Sequence, residues 1–390
     1  MKIWDYLQIT PAAFNKDYVD TGLVDVAFHP QFPLELLTYG REAVHTNNWD
    51  SVIRKCRGII YSTETEEIIA RPFEKFFNLR TAGMDETDPD TWLETPTEPE
   101  VWEKMDGFLC TMYTYNGQSY IASKGSFDSP HAKWATAWYR KNVKGVWPEG
   151  YTPVFEGICS SIRIVVDYEK FEGLVLLALV NRETGEELET YLMHACANEN
   201  GVEDPRQFPI TWKDASNKSL DTEVENFEGY VLVWRRPGQT PFRLKVKYVD
   251  YLRLHRMVSG VSAKAILQGL SDPAYKGELN GWINESNPWF SKFVSQWVRA
   301  LTVRHEEYMS QALAAYTEIR EINRVKVGQL PYESMGAERK AYALEFAKYP
   351  EIKGILFAML DGKAASAVAW KLTKPMIKSS QPMIHGKDLL

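Results

Sequence analysis

The chain has 390 residues, 44% of them hydrophobic and 13% aromatic, enough to bury a sizeable core in more than one domain. A formal net charge of −7 argues against a surface that is basic all over, as duplex DNA binding favours, and leaves room for a local basic groove. Cys56, Cys110, Cys159 and Cys196 are far apart in sequence and the seven histidines are scattered, so neither a protein-built metal centre nor a disulfide framework is expected.

No apolar run reaches membrane-spanning length, and the opening MKIWDYLQIT lacks the apolar core of a leader. Both observations, with the cysteine usage, fit a reducing cytoplasm.

Residues 1–80 read as mixed structure, with a hairpin made by 58–63 and 67–77 across the polar TETE. The acidic, Pro- and Thr-rich stretch 83–100 reads as a loop. A strand follows at 102–115. Asn116-Gly117 is the strongest hairpin signal in the chain and leads into a strand at 118–125. Residues 130–144 have helical spacing. Within them Trp134 and Trp138, four apart, suit packing on a sheet, while Lys133, Arg140, Lys141 and Lys144 are open candidates for RNA contact. Further strands are predicted at 152–159, 162–168, 173–181, 227–234 and 242–248, with a polar loop at 198–221.

The character changes after residue 253. Residues 287–322 read as one amphipathic helix, with Asn287 as N-cap, Pro288 in the first turn, and Trp297, Leu301, Tyr308, Ala312, Tyr316 and Ile319 on one stripe. Residues 337–348 and 351–372 also read as helices. An α+β domain at 1–252 and an all-helical domain at 253–390 follow from this division.

Three features carry chemistry. Lys104-Met105-Asp106-Gly107 sits inside an apolar, strand-like run. It reads either as a turn with a surface lysine or as a lysine nucleophile that attacks phosphate. Phe-Glu-Gly occurs at 155–157, 171–173 and 227–229. Glu172 lies where the chain must reverse and reads as a turn residue. Glu156 and Glu228 adjoin strong strands, where an inward carboxylate is costly without a metal or lysine partner. A site acid and a structural ion pair are equal readings for each. Lys245 and Lys247 alternate on one strand face, as a solvated edge or as a two-lysine phosphate clamp.

The ordered set of KxDG, two Glu-Gly pairs and KxK resembles the covalent nucleotidyltransferases, the polynucleotide ligases and mRNA-capping enzymes. KCRGIIY (55–61), ARPFEKFFN (70–78), ASKGS (122–126), IRIVVDY (162–168) and EGYVLVW with the downstream KVKYVDY narrow the resemblance to the RNA ligases of T-even phages, the tRNA-repair type, over residues 35–255. Phe108 stands where that family commonly has serine after KxDG.

The resemblance implies an α+β fold with ATP-grasp-like antiparallel sheets and flanking helices, followed by the helical domain, which would serve RNA-substrate specificity. It implies an ATP-dependent RNA ligase of the bacteriophage and RNA-repair type. Lys104 would take AMP from ATP and pass it to an RNA 5′-phosphate, and a 3′-hydroxyl would then displace it. Lys245 and Lys247 would assist catalysis at the α-phosphate and, with magnesium, keep the Lys104 amine neutral. Asp106, Glu156 and Glu228 would surround Mg2+, with Mn2+ as a substitute. Arg57 and Lys75 would hold the outgoing phosphates. Phe77 and Leu177, which taken alone read as core residues, would sandwich adenine, and Gly107 would admit the nucleotide close to the backbone. Lys124, Tyr251 and Tyr39 match further nucleotide contacts.

Partners implied are RNA with 5′-phosphate and 3′-hydroxyl ends, among them nicked tRNA, to a monomer in the cytoplasm of the host cell. Related lysyl-nucleotidyltransferases, a DNA ligase or a GTP-using capping enzyme, are the alternatives, as is a non-catalytic RNA-binding or assembly protein on the same scaffold. The basic residues Arg339, Lys340, Lys348, Lys353, Lys363, Lys371, Lys374 and Lys378 are candidates for docking structured RNA.

Overall fold

The computed structural model describes residues 1–92, 98–159, 165–221, 226–236, 238–284, 288–327 and 335–373. The chain divides into two compact units, Met1–Arg253 and Leu254–Leu390. Among the described residues, no helix is long and apolar enough to cross a membrane. The four cysteines are free, three of them buried.

The first unit is built on three sheets. Strands β1 (Val24–Phe28), β2 (Leu34–Tyr39), β3 (Arg57–Ser62) and β4 (Ile68–Ala70) pair antiparallel in that order. A second antiparallel sheet has the order β10 (Gly173–Asn181), β9 (Tyr151–Ile158), β7 (Phe108–Tyr115), β8 (Gln118–Ser123). The third runs β11 (Gln207–Phe208), β6 (Glu100–Glu103), β12 (Gly229–Trp234), β13 (Phe242–Lys247), β5 (Phe77–Asn78). It is mixed, because β5 runs parallel to β13.

Local chemistry explains the best-defined elements. Asn116 (φ 50°) and Gly117 (φ 74°) both adopt the left-handed conformation that a tight two-residue hairpin requires, and they join β7 to β8. The helix Pro130–Asn142 starts with Pro at its first turn and Ser129 accepting from the Ala132 N–H. Its Ala132, Ala135 and Tyr139 are buried, and Trp134 and Trp138 pack against the core of the second sheet, the packing reading of those tryptophans.

Several elements differ from the sequence reading. The run 102–115 is two strands in two sheets, β6 and β7, because 104–107 leaves the third sheet and enters the second. The second arm of the 58–77 hairpin is short: β4 ends at Ala70, and 71–76 crosses without strand pairing to β5. Of the strand expected at 162–168, residues 160–164 lie outside the described residues, and 165–168 are not extended ladder but a loop bonded to Asp106. The polar stretch 198–221 is not a loop throughout. It holds the end of the helix Thr190–Asn200, β11, and the helix Trp212–Lys218, which opens with a Thr211/Asp214 capping box. The loop expected at 83–100 contains a short helix, Pro89–Trp92.

The second unit is helical. Pro288–Val327 spans 40 residues, longer than the sequence suggested, and Asn287 lies outside the described residues. Its apolar stripe feeds two cores. Trp297 and Leu301 pack with Ile266, Leu267 and Leu279, while Ala312 and Ile319 pack with Phe346, Ile355 and Leu356. The single helix expected at 351–372 is two, Lys353–Leu360 and Ala365–Thr373, separated at Gly362 (φ 64°). Ala263–Ser271 and Lys276–Asn284 are additional helices.

Candidate active site

The faces of the second and third sheets in the first unit enclose a cavity of about 390 Å3. Cross-strand rows set one wall. Trp102, Val231 and Lys245 lie side by side on β6, β12 and β13, and Val233 pairs with Arg243 one step along. The second sheet supplies Leu109, Glu156 and Leu177. Leu177 is the extra residue of a bulge between Leu176 and Ala178, a local distortion that re-aims a side chain. Tyr39 and Arg57 close the cavity from the first sheet, with Lys124 beside Tyr39 just past the end of β8.

The KxDG segment runs from one wall to the other. The Lys104 N–H donates to the Gly229 carbonyl at 2.9 Å, and the Gly107 N–H donates to Glu156 Oε1 at 3.0 Å. Both glycines are required by close approach. A Cβ on Gly107 would lie 2.3 Å from the Gly157 carbonyl, and one on Gly229 (φ 151°) 1.9 Å from that of Val246. Gly107 therefore makes room for a neighbouring strand.

The Lys104 ammonium sits 2.8 Å from Glu228 Oε2, and Lys247 sits 2.8 Å from Glu228 Oε1. The Lys104 side chain is 19% exposed, so the cavity reaches it; that of Glu228 is 3% exposed. Burial disfavours the Lys104 charge, but attraction from Glu228 and Glu156 outweighs it and holds the pKa above the ordinary lysine value. The expectation that neighbouring cations keep this amine neutral is thus corrected for the unliganded chain. The depressed amines are others. Burial, with Lys75, Lys104, Lys247 and Arg57 nearby, pushes Lys245 down to about 7. Burial, with Arg57, Lys124 and Arg54, pushes Lys75 down to about 8.

The three acids expected around a metal separate. Asp106 is buried and off the cavity wall. Its Oδ2 accepts from the N–H groups of Val165 and Val166, each at 2.9 Å, and its Oδ1 from the Tyr251 hydroxyl at 2.7 Å. Glu228 gives both oxygens to ammonium groups. Glu156 lines the cavity, and burial, offset by Lys104, lifts its pKa to about 7. Among the described residues, no group of three or more Asp, Glu, His or Cys is arranged to hold a metal ion.

Eight cationic side chains line the cavity against two acids, Glu103 and Glu156, in a chain whose net charge is −7. Glu103 is further occupied by Arg206 at 2.7 Å. A concave site this positive, with apolar walls of Phe73, Phe76, Trp102, Leu109, Leu177 and Val231, suits a polyanion that carries a flat apolar group.

A family model described as RNA ligase matches residues 55–251, half of the chain. The chain belongs to this RNA ligase family. It is 29% identical over 215 residues to a provisionally named RNA ligase of Thermovibrio ammonificans, covering 52% of this chain and 53% of that one. It is 31% identical over 145 residues to RNA ligase 1 of bacteriophage TS2126, covering 34% of this chain and 35% of that one. The chain thus spans about half or less of the length of these curated relatives. Among solved structures, an archaeal ATP-dependent RNA ligase aligns with 13% identity over 76% of this chain and 78% of that one, with a TM-score of 0.44.

In this member of the RNA ligase family, the cavity wall brings together Tyr39, Arg57, Lys75, Lys104, Gly107, Lys124, Glu156, Leu177, Lys245 and Lys247 of the sequence-derived set. Glu228 stands behind Lys104. Two aromatic residues fall elsewhere. Phe77 lines only an adjoining cavity of about 110 Å3, where the Lys75 ammonium lies 4.3 Å from its ring centre; Phe76 lines both this cavity and the main one. Tyr251 is buried beneath the KxDG segment. Sequence reasoning missed Phe73, Phe76, Trp102, Arg235 and Arg243. Arg243 had a signal: it precedes Lys245 by two, and so shares the face of Lys245 and Lys247.

Proposed function

We propose that the chain is an ATP-dependent RNA ligase acting through a lysyl-AMP at Lys104 and an RNA-adenylate. The observation that carries this reading is the Lys104 amine in the wall of a cavity lined by eight cations. The Lys104 nitrogen attacks the α-phosphorus of ATP, a nitrogen–phosphorus bond forms, and the bond to pyrophosphate breaks. The amine must first shed a proton to solvent, against the hold of Glu228 Oε2 at 2.8 Å, which favours the ammonium. Lys245 and Lys247 neutralise the α-phosphate, and Arg57 and Lys75 the outgoing pyrophosphate. An RNA 5′-phosphate oxygen then takes the AMP, and Lys104 regains its proton. A 3′-hydroxyl oxygen finally attacks that 5′-phosphate, AMP leaves, and the strand is sealed.

Magnesium, or manganese in its place, would be held here by Glu156, an oxygen donor on the cavity wall. When bound, it neutralises phosphate charge. Asp106 and Glu228 act differently, as anchors of the KxDG segment and of two ammonium groups. Phe76 and Leu177 hold the adenine. The natural substrate on this reading is RNA with 5′-phosphate and 3′-hydroxyl ends, including nicked tRNA of a phage-infected cell, and the helical unit is the substrate-specificity part.

The test is incubation with α-labelled ATP or GTP followed by denaturing electrophoresis, with sealing of nicked tRNA anticodon loops beside unstructured oligonucleotides. Label from ATP on the wild-type chain, lost in Lys104→Ala together with sealing, is expected. Label from GTP alone, or sealing retained by Lys104→Ala, rejects the reading.

A further inference from the structure

Arg243 is a cation that the lysyl-AMP chemistry above does not use. It lies on β13 in the same face as Lys245 and Lys247 and lines the same cavity. Its position is heavily determined. One terminal nitrogen bonds Glu187, which is buried and also holds Arg235 at 3.3 Å. Its guanidinium lies 4.8 Å from the ring centre of Phe73. The Arg57 guanidinium lies 4.9 Å from that same ring centre, so Phe73 is shared by two arginines. The two arginines repel each other across this short span.

Each of them also leaves a donor unused. Nη1 of Arg57 and Nη1 of Arg243 are shielded from water and have no hydrogen-bond partner. Buried guanidinium donors without acceptors are costly, and two of them on side chains lining one cavity make a place for a ligand that brings acceptors. Glu187 offsets only part of the charge, because it faces Arg235 as well as Arg243. A tetrahedral oxyanion with several oxygens satisfies both guanidinium forks at once.

The geometry points to Arg243 as a positioning residue for the pyrophosphoryl part of the nucleoside triphosphate, paired with Arg57 across Phe73 and held in place by Glu187. This rests on the lysyl-AMP reading and deepens it by adding Arg243 to Arg57 and Lys75 as a receiver of the leaving group. The same residue then serves the reverse step. A pyrophosphate oxygen attacks the phosphorus of the lysyl-AMP, the nitrogen–phosphorus bond breaks, Lys104 regains a proton, and ATP is re-formed.

The experiment uses full-length chain labelled with AMP and freed of nucleotide, then mixed with increasing pyrophosphate while loss of label is followed. Arg243→Lys keeps a cation opposite Glu187 but loses the fork. Arg243→Gln removes the charge and leaves Glu187 paired with Arg235. Both are expected to raise the pyrophosphate concentration for half-maximal release, and the KM for ATP, by about tenfold. Sealing of chemically preadenylated RNA, which needs no triphosphate, should fall much less. A half-maximal concentration equal to wild type overturns the inference, as does an equal fall in preadenylated sealing, which would assign Arg243 to an RNA phosphate or to the fold. If wild type takes no label from ATP, the lysyl-AMP reading fails and this one with it. If wild type is labelled and the variants respond to pyrophosphate as wild type does, only this inference fails.

Discussion

Glu228 holds Lys104 and Lys247 at once, one carboxylate oxygen 2.8 Å from each ammonium. A residue read from sequence as a metal ligand is thus the counter-ion of Lys104. Its own pKa is depressed, because the two lysines outweigh the burial that would raise it. The negative charge of Glu228 in turn raises the pKa of Lys104.

Replacing Glu228 by Gln removes that charge. The neutral amine should then appear at lower pH, and the rising limb of the adenylylation pH profile should move down by about one unit or more. The maximal rate should also fall, since Gln cannot anchor two ammonium groups. Single-turnover labelling between pH 6 and 10 measures both. An unmoved limb would show that Glu228 does not govern the protonation of Lys104.

Tyr251 donates to Asp106 Oδ1 at 2.7 Å, in a buried setting. Tyr251→Phe leaves that carboxylate oxygen short of a donor. The expected cost is about 1–3 kcal/mol of stability for an unsatisfied buried group. Adenylylation should fall as well, because Asp106 ties the KxDG segment to residues 165–166. Urea unfolding followed by tryptophan fluorescence checks the first, and labelling the second. Wild-type stability in the variant would count against the anchor.

Lys245 has a pKa of about 7 in the folded chain, against an ordinary value of 10.5. Below pH 7 folded and unfolded chains both carry the proton, and the full destabilisation by crowded charge is present. Between 7 and 10.5 the unfolded chain holds more protons, so the contribution of this group to stability rises with pH. A polyphosphate restores the ammonium. Binding should therefore take up protons at pH 8, and affinity should weaken by up to about tenfold per pH unit above 7. Calorimetric titration with ATP in two buffers of different ionisation enthalpy measures the uptake. Lys245→Arg, which stays charged, should reduce it.

Phe76 and Phe77 make a contrasting pair. Phe76→Ala should raise the KM for ATP with little loss of stability, since Phe76 faces the cavity. Phe77→Ala should cost about 3 kcal/mol, since Phe77 is buried against Trp49 and under the Arg54 and Lys75 cations. Nucleotide kinetics and unfolding curves on the two variants suffice. The reverse pattern would return the adenine contact to Phe77.

The basic residues of the helical unit are less free than their sequence suggests. Arg339 and Lys363 both pair with Asp361, and Lys348 pairs with Glu345 at 2.6 Å. Lys374 and Lys378 lie outside the described residues. Of these pairs, Arg339–Asp361 joins residues far apart in sequence and is invisible to a reading of charge along the chain.

The sequence by itself determined the elements whose cause is local. Asn116-Gly117 dictated its hairpin, Ser129-Pro130 the start of its helix, and the spacing of Lys245 and Lys247 a single basic face. The ordered motifs also identified the family and most of the cations in the cavity wall. Tertiary structure alone decided which acid does what. Asp106, Glu156 and Glu228 are the same kind of group in sequence, but three donors claim Asp106, two ammoniums claim Glu228, and Glu156 alone of the three lines the cavity. The physical reason is that the state of a carboxylate or an amine depends on burial and on charges within a few ångströms, and some of those neighbours arrive from segments more than a hundred residues away. Strand termination is non-local for the same reason: residues 101–110 look like one continuous strand, yet hydrogen bonding to Gly229 on one side and Glu156 on the other splits them between two sheets and stretches Lys104 across the cleft.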